Sequence, residues 1–224
     1  MIEETRDVFD DWARRGRDRG MEEGHRPRAL QALDLLPVVD GEAAIDLGCG
    51  NGWATRELRG RLGSRGRAVG VDLAPEMLRK ARALSAGREG LDFVEADFEA
   101  LPFLDGQFAL AFSMEALYYA ADLDRALAEI LRVLRPGGRF AFCSDFYLEN
   151  PCCHDWPERL GIPMELLAED GWRRRFEAAG FRVVESRRCL DPRPLADDLP
   201  PTEAEAERRF REEIGALAIL VERP

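Results

Sequence analysis

A glycine-rich loop and two acids downstream of it carry the most legible chemistry in this chain. Asp46-Leu47-Gly48-Cys49-Gly50-Asn51-Gly52 closes one short apolar run and opens a helical one. Glycines lack the Cβ atoms that hold a ligand away from the backbone. A helix start behind them offers free N–H groups and positive potential, suited to a carboxylate or a phosphate. Asp72 ends the next apolar run, where a carboxylate can accept hydrogen bonds from both hydroxyls of a ribose. The bland alternative is a tight strand-to-helix turn, with Asp72 only initiating a helix before Pro75. The order strand, turn, helix, strand, acid favours the ligand site. Asp97 closes a third run, Val94-Glu95-Ala96-Asp97-Phe98, within reach of an adenine amino group and with Phe98 beside the ring. The spacing is Gly-x-Gly-x-Gly; the third glycine of a dinucleotide fingerprint would fall at Trp53, so a nicotinamide-dependent oxidoreductase is disfavoured.

Fewer residues announce a catalytic role. The histidines are His25 and His154, and either imidazole is suited to proton transfer near neutral pH, although an ordinary loop hydrogen bond is the more frequent use of such a residue. Glu115 and Tyr118 follow the fourth apolar run and are the other candidates; Glu115 reads equally as a solvated acid at a helix start and Tyr118 as core packing. Cys152-Cys153-His154-Asp155 invites a metal, but adjacent cysteines rarely point into one tetrahedral site and no second Cys/His pair lies nearby. No metal is expected. Arg173-Arg174-Arg175 reads as a solvated helix face.

These residues must be positioned by alternating elements. Apolar runs at 43–47, 68–72, 91–96, 108–114, 140–144, 181–185 and 216–221 predict strands, and helical stretches at 52–62, 75–86, 122–135 and 164–179 lie between most of them. That alternation predicts an α/β fold, a doubly wound sheet with helices on both faces and its ligand beyond the carboxyl ends of the strands. Ahead of it, residues 3–15 read as a helix, 14–20 as a break, and 27–36 as a second helix with Pro27 at its start. Residues 191–201 read as a stiff proline-rich loop before a helix at about 202–213.

Composition narrows the class. At 224 residues with 46% apolar and 33% charged side chains, the chain is suited to a single globular domain. Its longest charge-free runs fall well short of the ~20 residues that span a bilayer, so no membrane span is expected. Acids outnumber bases 43 to 32, for a formal charge of −11, which argues against a nucleic-acid partner. The start lacks the basic and apolar stretches of a secretory signal, and five cysteines without regular spacing suit a reducing compartment; a cytoplasmic location is the expectation. Lys80 is the only lysine.

With Ala44–Gly52, Val69-Gly70-Val71-Asp72, Pro75-Glu76-Met77-Leu78, Glu95-Ala96-Asp97, Leu101-Pro102-Phe103, Phe108–Ser113 and Leu131–Phe140 in this order, the chain resembles a class I S-adenosylmethionine-dependent methyltransferase. It is most similar to the small-molecule branch, which includes quinone-biosynthesis enzymes of methyltransferase type 11. The resemblance covers about residues 40–145. It implies a Rossmann-like sheet of seven strands, mostly parallel, with 216–221 inserted antiparallel. It implies S-adenosylmethionine as cofactor and S-adenosylhomocysteine as product. Gly48, Cys49, Gly50 and Gly52 would line the methionine part, with Asp46 supporting the loop or its amino group. Asp72 would hold the ribose, Asp97 the adenine amino group and Phe98 the ring, with Leu73 also against the cofactor. Ser113 would face the methionine end through its backbone carbonyl. Residues 1–36 and 145–163, with Trp12, Tyr147 and Trp156, would cover a small-molecule acceptor. Ala74 departs from the pattern, since many relatives place a helix-capping hydroxyl there, a difference of ~1 kcal/mol. A cofactor-holding partner protein without catalysis, or a methyltransferase acting on a macromolecule, are the alternatives.

Overall fold

The computed structural model describes residues 2–195 and 201–224, the side chains of 201–203 excepted. In chain order the strands are β1 (Ala43–Leu47), β2 (Arg67–Asp72), β3 (Leu91–Glu95), β4 (Phe108–Met114), β5 (Leu134–Ser144), β6 (Arg182–Cys189) and β7 (Ala216–Glu222). The helices are α1 (Ile2–Arg14), α2 (Arg17–Leu33), α3 (Trp53–Arg61), α4 (Pro75–Leu84), α5 (Leu123–Val133), α6 (Trp156–Leu160), α7 (Glu169–Ala178) and α8 (Pro201–Arg209), the last running into a wider turn at Phe210–Ile214. All seven strands form one sheet in the order β3-β2-β1-β4-β5-β7-β6. β7 runs antiparallel to both its neighbours, and the pairs on the β3 side are parallel. The Rossmann-like sheet inferred from the sequence is therefore present, antiparallel insertion included.

Alternation along the strands supplies both layers. Ile45, Leu47, Phe140, Phe142, Leu217 and Ile219 bury one face against Leu127 and Ile130 of α5 and Trp172 and Phe176 of α7. Ala44, Phe112, Ala141, Ala218 and Leu220 bury the other against Ala29 and Leu33 of α2 and Ala54 and Leu58 of α3. Small residues on this second face let the helices approach closely. Five neighbouring parallel strands bring their carboxyl ends to one edge, and the strand order reverses between β1 and β4, the position at which such sheets bind ligands.

Several boundaries differ from the sequence expectation, each for a physical reason. α2 begins at Arg17, not at residue 27, and Pro27 lies inside it. A proline there removes the N–H that the carbonyl of Glu23 would have received. That carbonyl instead accepts a 2.9 Å hydrogen bond from the Arg193 guanidinium, so the helix continues. Pro136-Gly137-Gly138 does not merely stop α5: it forms an irregularity within β5, where the register against β4 shifts between Phe108 and Leu110. α7 starts at Glu169, leaving 164–168 irregular, and β6 extends to Cys189. β6 is an edge strand with one wet face, and its arginines and glutamates hid the alternation. Of the loop expected over 191–201, residues 196–200 lie outside the described residues.

Candidate active site

A cavity of about 450 Å³ opens at the carboxyl edge of the sheet, roofed by α1, α2 and α6. Its floor is built by the loop after β1. Gly48, Gly50 and Gly52 all have positive φ, at 74°, 53° and 77°, which explains their type before any ligand is considered. Their surroundings separate their roles. A Cβ on Gly48 would lie 2.2 Å from the Cβ of Ala116, and one on Gly52 2.6 Å from the Phe93 ring. A Cβ on Gly50 would meet nothing within 4 Å. Gly48 and Gly52 are therefore required by packing, while Gly50 leaves open space in the cavity. The Gly48 and Cys49 amides donate to the Val71 carbonyl, tying the loop to β2.

Asp72 is half-buried, accepting from the Gly50 amide at 2.7 Å and from the Ala74 amide at 2.9 Å. Burial is the main cause that raises its pKa to about 6, against these hydrogen bonds. Asp46, below the loop and 2% exposed, accepts from the Thr55 hydroxyl at 2.6 Å. Burial, reinforced by the charge of Asp72, lifts it to about 7. Two carboxyls reluctant to ionise beside an open glycine suit a ligand carrying hydroxyls and a positive charge, which would relieve them. Asp97 and Phe98 line the same cavity, with Asp97 accepting from the Glu99 amide at 3.0 Å. Burial raises the Cys49 thiol well above its ordinary range, so it is an inert part of the wall.

Of the ten residues assigned to the cofactor from sequence, Asp46, Gly48, Cys49, Gly50, Asp72, Leu73, Asp97 and Phe98 line the cavity. Gly52 and Ser113 do not. Gly52 packs on Phe93 and Ala81, and the Ser113 hydroxyl is fully buried, donating to the Leu47 carbonyl at 3.0 Å between strands. Its neighbour Met114 reaches the cavity instead.

The far end is aromatic, with Phe9, Trp12, Tyr118, Tyr119 and Trp156 in the wall. His25 and Glu115 join them. His154 does not: it is exposed and bonds the Leu148 carbonyl at 3.0 Å. Tyr147 is also outside, fully buried with its hydroxyl donating to the Gly215 carbonyl at 2.9 Å. Glu115 accepts from the Tyr118 hydroxyl at 2.8 Å and from the Asp145 amide. Burial, and then the charge of Asp145, lift it to about 8. Burial lowers His25, against the pull of Asp145. His25, Glu115 and Asp145 bring ligand-type atoms within 4.8 Å of one another, the geometry of a small cation site. Asp145, however, is engaged by Arg28 through both oxygens, at 3.2 and 2.7 Å, and both Glu115 oxygens already have donors. Arg28 also reaches Asp191 at 3.5 Å. The two carboxyls of this group are thus already engaged.

Long-range contacts missing from the sequence reading hold the roof on the floor. Asp10 of α1 accepts from the Glu76 amide at 2.8 Å, capping α4 in place of the hydroxyl that Ala74 lacks. Asn51 of the glycine loop caps α3 through the Trp53 amide and donates to Glu22 of α2 at 3.0 Å. Lys80 pairs with Asp18, joining α4 to α2. Arg175 is held by Asp124 and Glu165, as a solvated helix face requires.

Residues 45–142 match a methyltransferase domain. The chain is 31% identical over 174 residues to the ubiquinone/menaquinone biosynthesis C-methyltransferase of Hahella chejuensis, covering 74% of this chain and 70% of that protein. It is 37% identical over 124 residues to the malonyl-[acyl-carrier protein] O-methyltransferase of Pseudescherichia vulneris, covering 54% and 47%. Among solved structures, a chain from the complex between the Haloferax volcanii Trm112 methyltransferase activator and a methyltransferase superposes with a TM-score of 0.89 at 38% identity, covering 96% of this chain and 97% of that one. The chain belongs to the S-adenosylmethionine-dependent methyltransferases. It spans between 31% and 57% of the length of the first curated relatives it matches.

Proposed function

We propose that this chain transfers a methyl group from S-adenosylmethionine to a small-molecule acceptor. The observation that carries the reading is one cavity with two unlike ends: an open glycine loop flanked by Asp46, Asp72, Asp97 and Phe98, and an aromatic end formed by Phe9, Trp12, Tyr118, Tyr119 and Trp156. When bound, the cofactor supplies an electrophilic methyl on a sulfonium. Asp72 orients the ribose hydroxyls, Asp46 balances the amino group through the loop, Asp97 accepts from the adenine amine and Phe98 flanks its ring. The aromatic wall excludes water and holds an apolar or aromatic acceptor in line, which is the main contribution such an enzyme makes. The acidic surface supports a partner set without nucleic acid, and among the described residues no helix is long and apolar enough to cross a membrane.

Calorimetric titration with S-adenosylmethionine, S-adenosylhomocysteine and NADH tests the cofactor. Micromolar binding of the first two, lost in Asp72→Ala, is the expected result; NADH binding in their place refutes it. A second reading, action on a macromolecule with an activator protein, draws support from the Haloferax volcanii relative solved with Trm112. Co-elution of this chain with a Trm112 protein, together with methyl transfer only in its presence, distinguishes that reading from the first.

A further inference from the structure

We propose that Glu115 accepts the proton released by the methyl acceptor, and that the acceptor is therefore a neutral protic group, a hydroxyl or an activated C–H, rather than a thioether, a tertiary amine or a preformed anion. The inference rests on the methyl-transfer reading above and adds the substrate class and the residue that acts on it.

Placement is the first argument. Glu115 follows β4 directly and lines the cavity, and the next residue, Ala116, packs on Gly48 of the cofactor loop. The carboxyl itself is bonded to Tyr118 of the aromatic end, one residue along the chain from the contact with the glycine loop. Its backbone is the second argument. Among the described residues Glu115 is the only non-glycine residue with positive φ, at 54°. Left-handed backbone at a side-chain-bearing residue is unfavourable and persists where the surroundings enforce it, most often at a working site. The enforcing contacts are the Asp145 amide and the Tyr118 hydroxyl, which aim the carboxyl.

Charge is the third. Arg28, the nearby cation, is committed to Asp145 and Asp191, and among the described residues Glu115 has no salt-bridge partner. Facing it are Asp145, Arg28, His25, Tyr118, Tyr119 and Cys143. Burial disfavours a charge on His25, and the two tyrosines are raised above their ordinary range. The local balance is unfavourable for a second anion, and the lift of Glu115 to about 8 makes its carboxylate a stronger base than an exposed one. An anionic acceptor would lie beside the Asp145 carboxylate and make ionisation of Glu115 costlier still, and an aprotic one has no proton to give. In the step, the acceptor X–H bond breaks and its proton passes to a Glu115 oxygen. The electron pair freed on X forms the X–CH₃ bond as the S–CH₃ bond breaks, its pair remaining on sulfur. Neutral Glu115 returns the proton to water as the products leave.

The test uses two ligands that need no acceptor. Sinefungin carries a charged amine where the cofactor carries its methyl; S-adenosylhomocysteine carries neither. Their dissociation constants are measured by calorimetry in a pH series from pH 6.5 to pH 8.5, for the parent protein and for Glu115→Gln, which keeps an acceptor toward the Asp145 amide and a hydrogen-bonding group toward Tyr118. The expected result is a preference for sinefungin over S-adenosylhomocysteine that rises about tenfold across the series and is flat in the variant, because a carboxylate close to the amine forms only at the higher pH. A flat preference in the parent protein, or an equal rise in Glu115→Gln, overturns the proposal. Should Glu115→Gln fail to bind S-adenosylhomocysteine, Glu115→Asp serves, with the rise retained and its midpoint moved; an unmoved midpoint overturns the proposal. If neither ligand binds the parent protein, it is the methyl-transfer reading itself that fails.

Discussion

Replacing Asp46 with asparagine should make the ligand-free protein more stable at neutral pH while weakening its cofactor site. Asp46 is 2% exposed, and burial is the first cause of its rise from 3.8 to about 7. A folded-state pKa above the unfolded value means that the folded protein keeps the proton longer. Between about pH 4 and pH 7 the unfolded chain binds fewer protons than the native one, so stability falls as pH rises, and above pH 7 the loss is complete. Three pKa units correspond to ~4 kcal/mol, of which ~1.5 kcal/mol is already lost at pH 5. The asparagine side chain of Asp46→Asn retains an acceptor for the Thr55 hydroxyl, whose bond to Asp46 is 2.6 Å, and carries no charge. The difference in unfolding free energy, variant minus parent, should therefore grow by about 2 to 3 kcal/mol from pH 5 to pH 8. Urea denaturation of both proteins at the two pH values measures it, and titrating groups that do not interact with Asp46 cancel in the double difference, Asp72 being the acid neighbour that does interact. Calorimetry at pH 8 should show S-adenosylmethionine bound about tenfold more weakly by the variant, because a positive ligand group loses its carboxylate. A double difference near zero, or one of the opposite sign, refutes the account of Asp46 as a carboxylate held at a cost for the ligand.

Further substitutions examine the loop and the roof. Gly50→Ala and Gly52→Ala should part company: the first places a methyl in open cavity and loses cofactor affinity with ~1 kcal/mol of stability, whereas the second drives a methyl to 2.6 Å from Phe93 and loses ~2 kcal/mol or more, as thermal melts and titration can separate. Asp10→Ala leaves the α4 start without its acceptor; a loss of ~1 kcal/mol with faster hydrogen exchange over Ile2–Arg14 is expected, and unchanged exchange there contradicts the docking role. Arg28→Met strands a buried Asp145 and should destabilise by ~3–5 kcal/mol, part of which the double variant with Asp145→Asn should recover; no recovery would show that packing rather than charge is at stake.

The elements and the glycine-loop floor of the cavity were legible in the sequence because both rest on short-range rules. Apolar runs of five to seven residues, broken by glycine and proline, mark β1 and β4 at their observed bounds. The loop after β1 needs positive φ at Gly48, Gly50 and Gly52, and only their residue type had to be read. Asp72 ends β2 and Asp97 stands two residues beyond β3, so topology carries them to the same edge. The misreadings have equally local causes. Pro27 signalled a helix start, since nothing nearby shows that Arg193 would satisfy the carbonyl it frees. β6 reads in the sequence as ending near residue 185 because the arginines and glutamates of an edge strand mask its alternation as far as Cys189.

Sequence alone therefore determined which strands and turns form and which loop positions take left-handed backbone. Tertiary structure decided which distant residues complete the site. Asp10 caps a helix 66 residues away, Lys80 reaches Asp18 across 62, and Arg28 reaches Asp145 across 117. None of these partners shares a periodicity or a motif with the other. They meet because the sheet order brings α1, α2 and the loop after β5 over one edge, and there burial makes a missing partner costly. The same assembly gives Glu115 its environment: its neighbours Tyr118 and Asp145 lie 3 and 30 residues along the chain, and only the folded cavity turns an ordinary glutamate into a carboxyl that holds its proton to about pH 8.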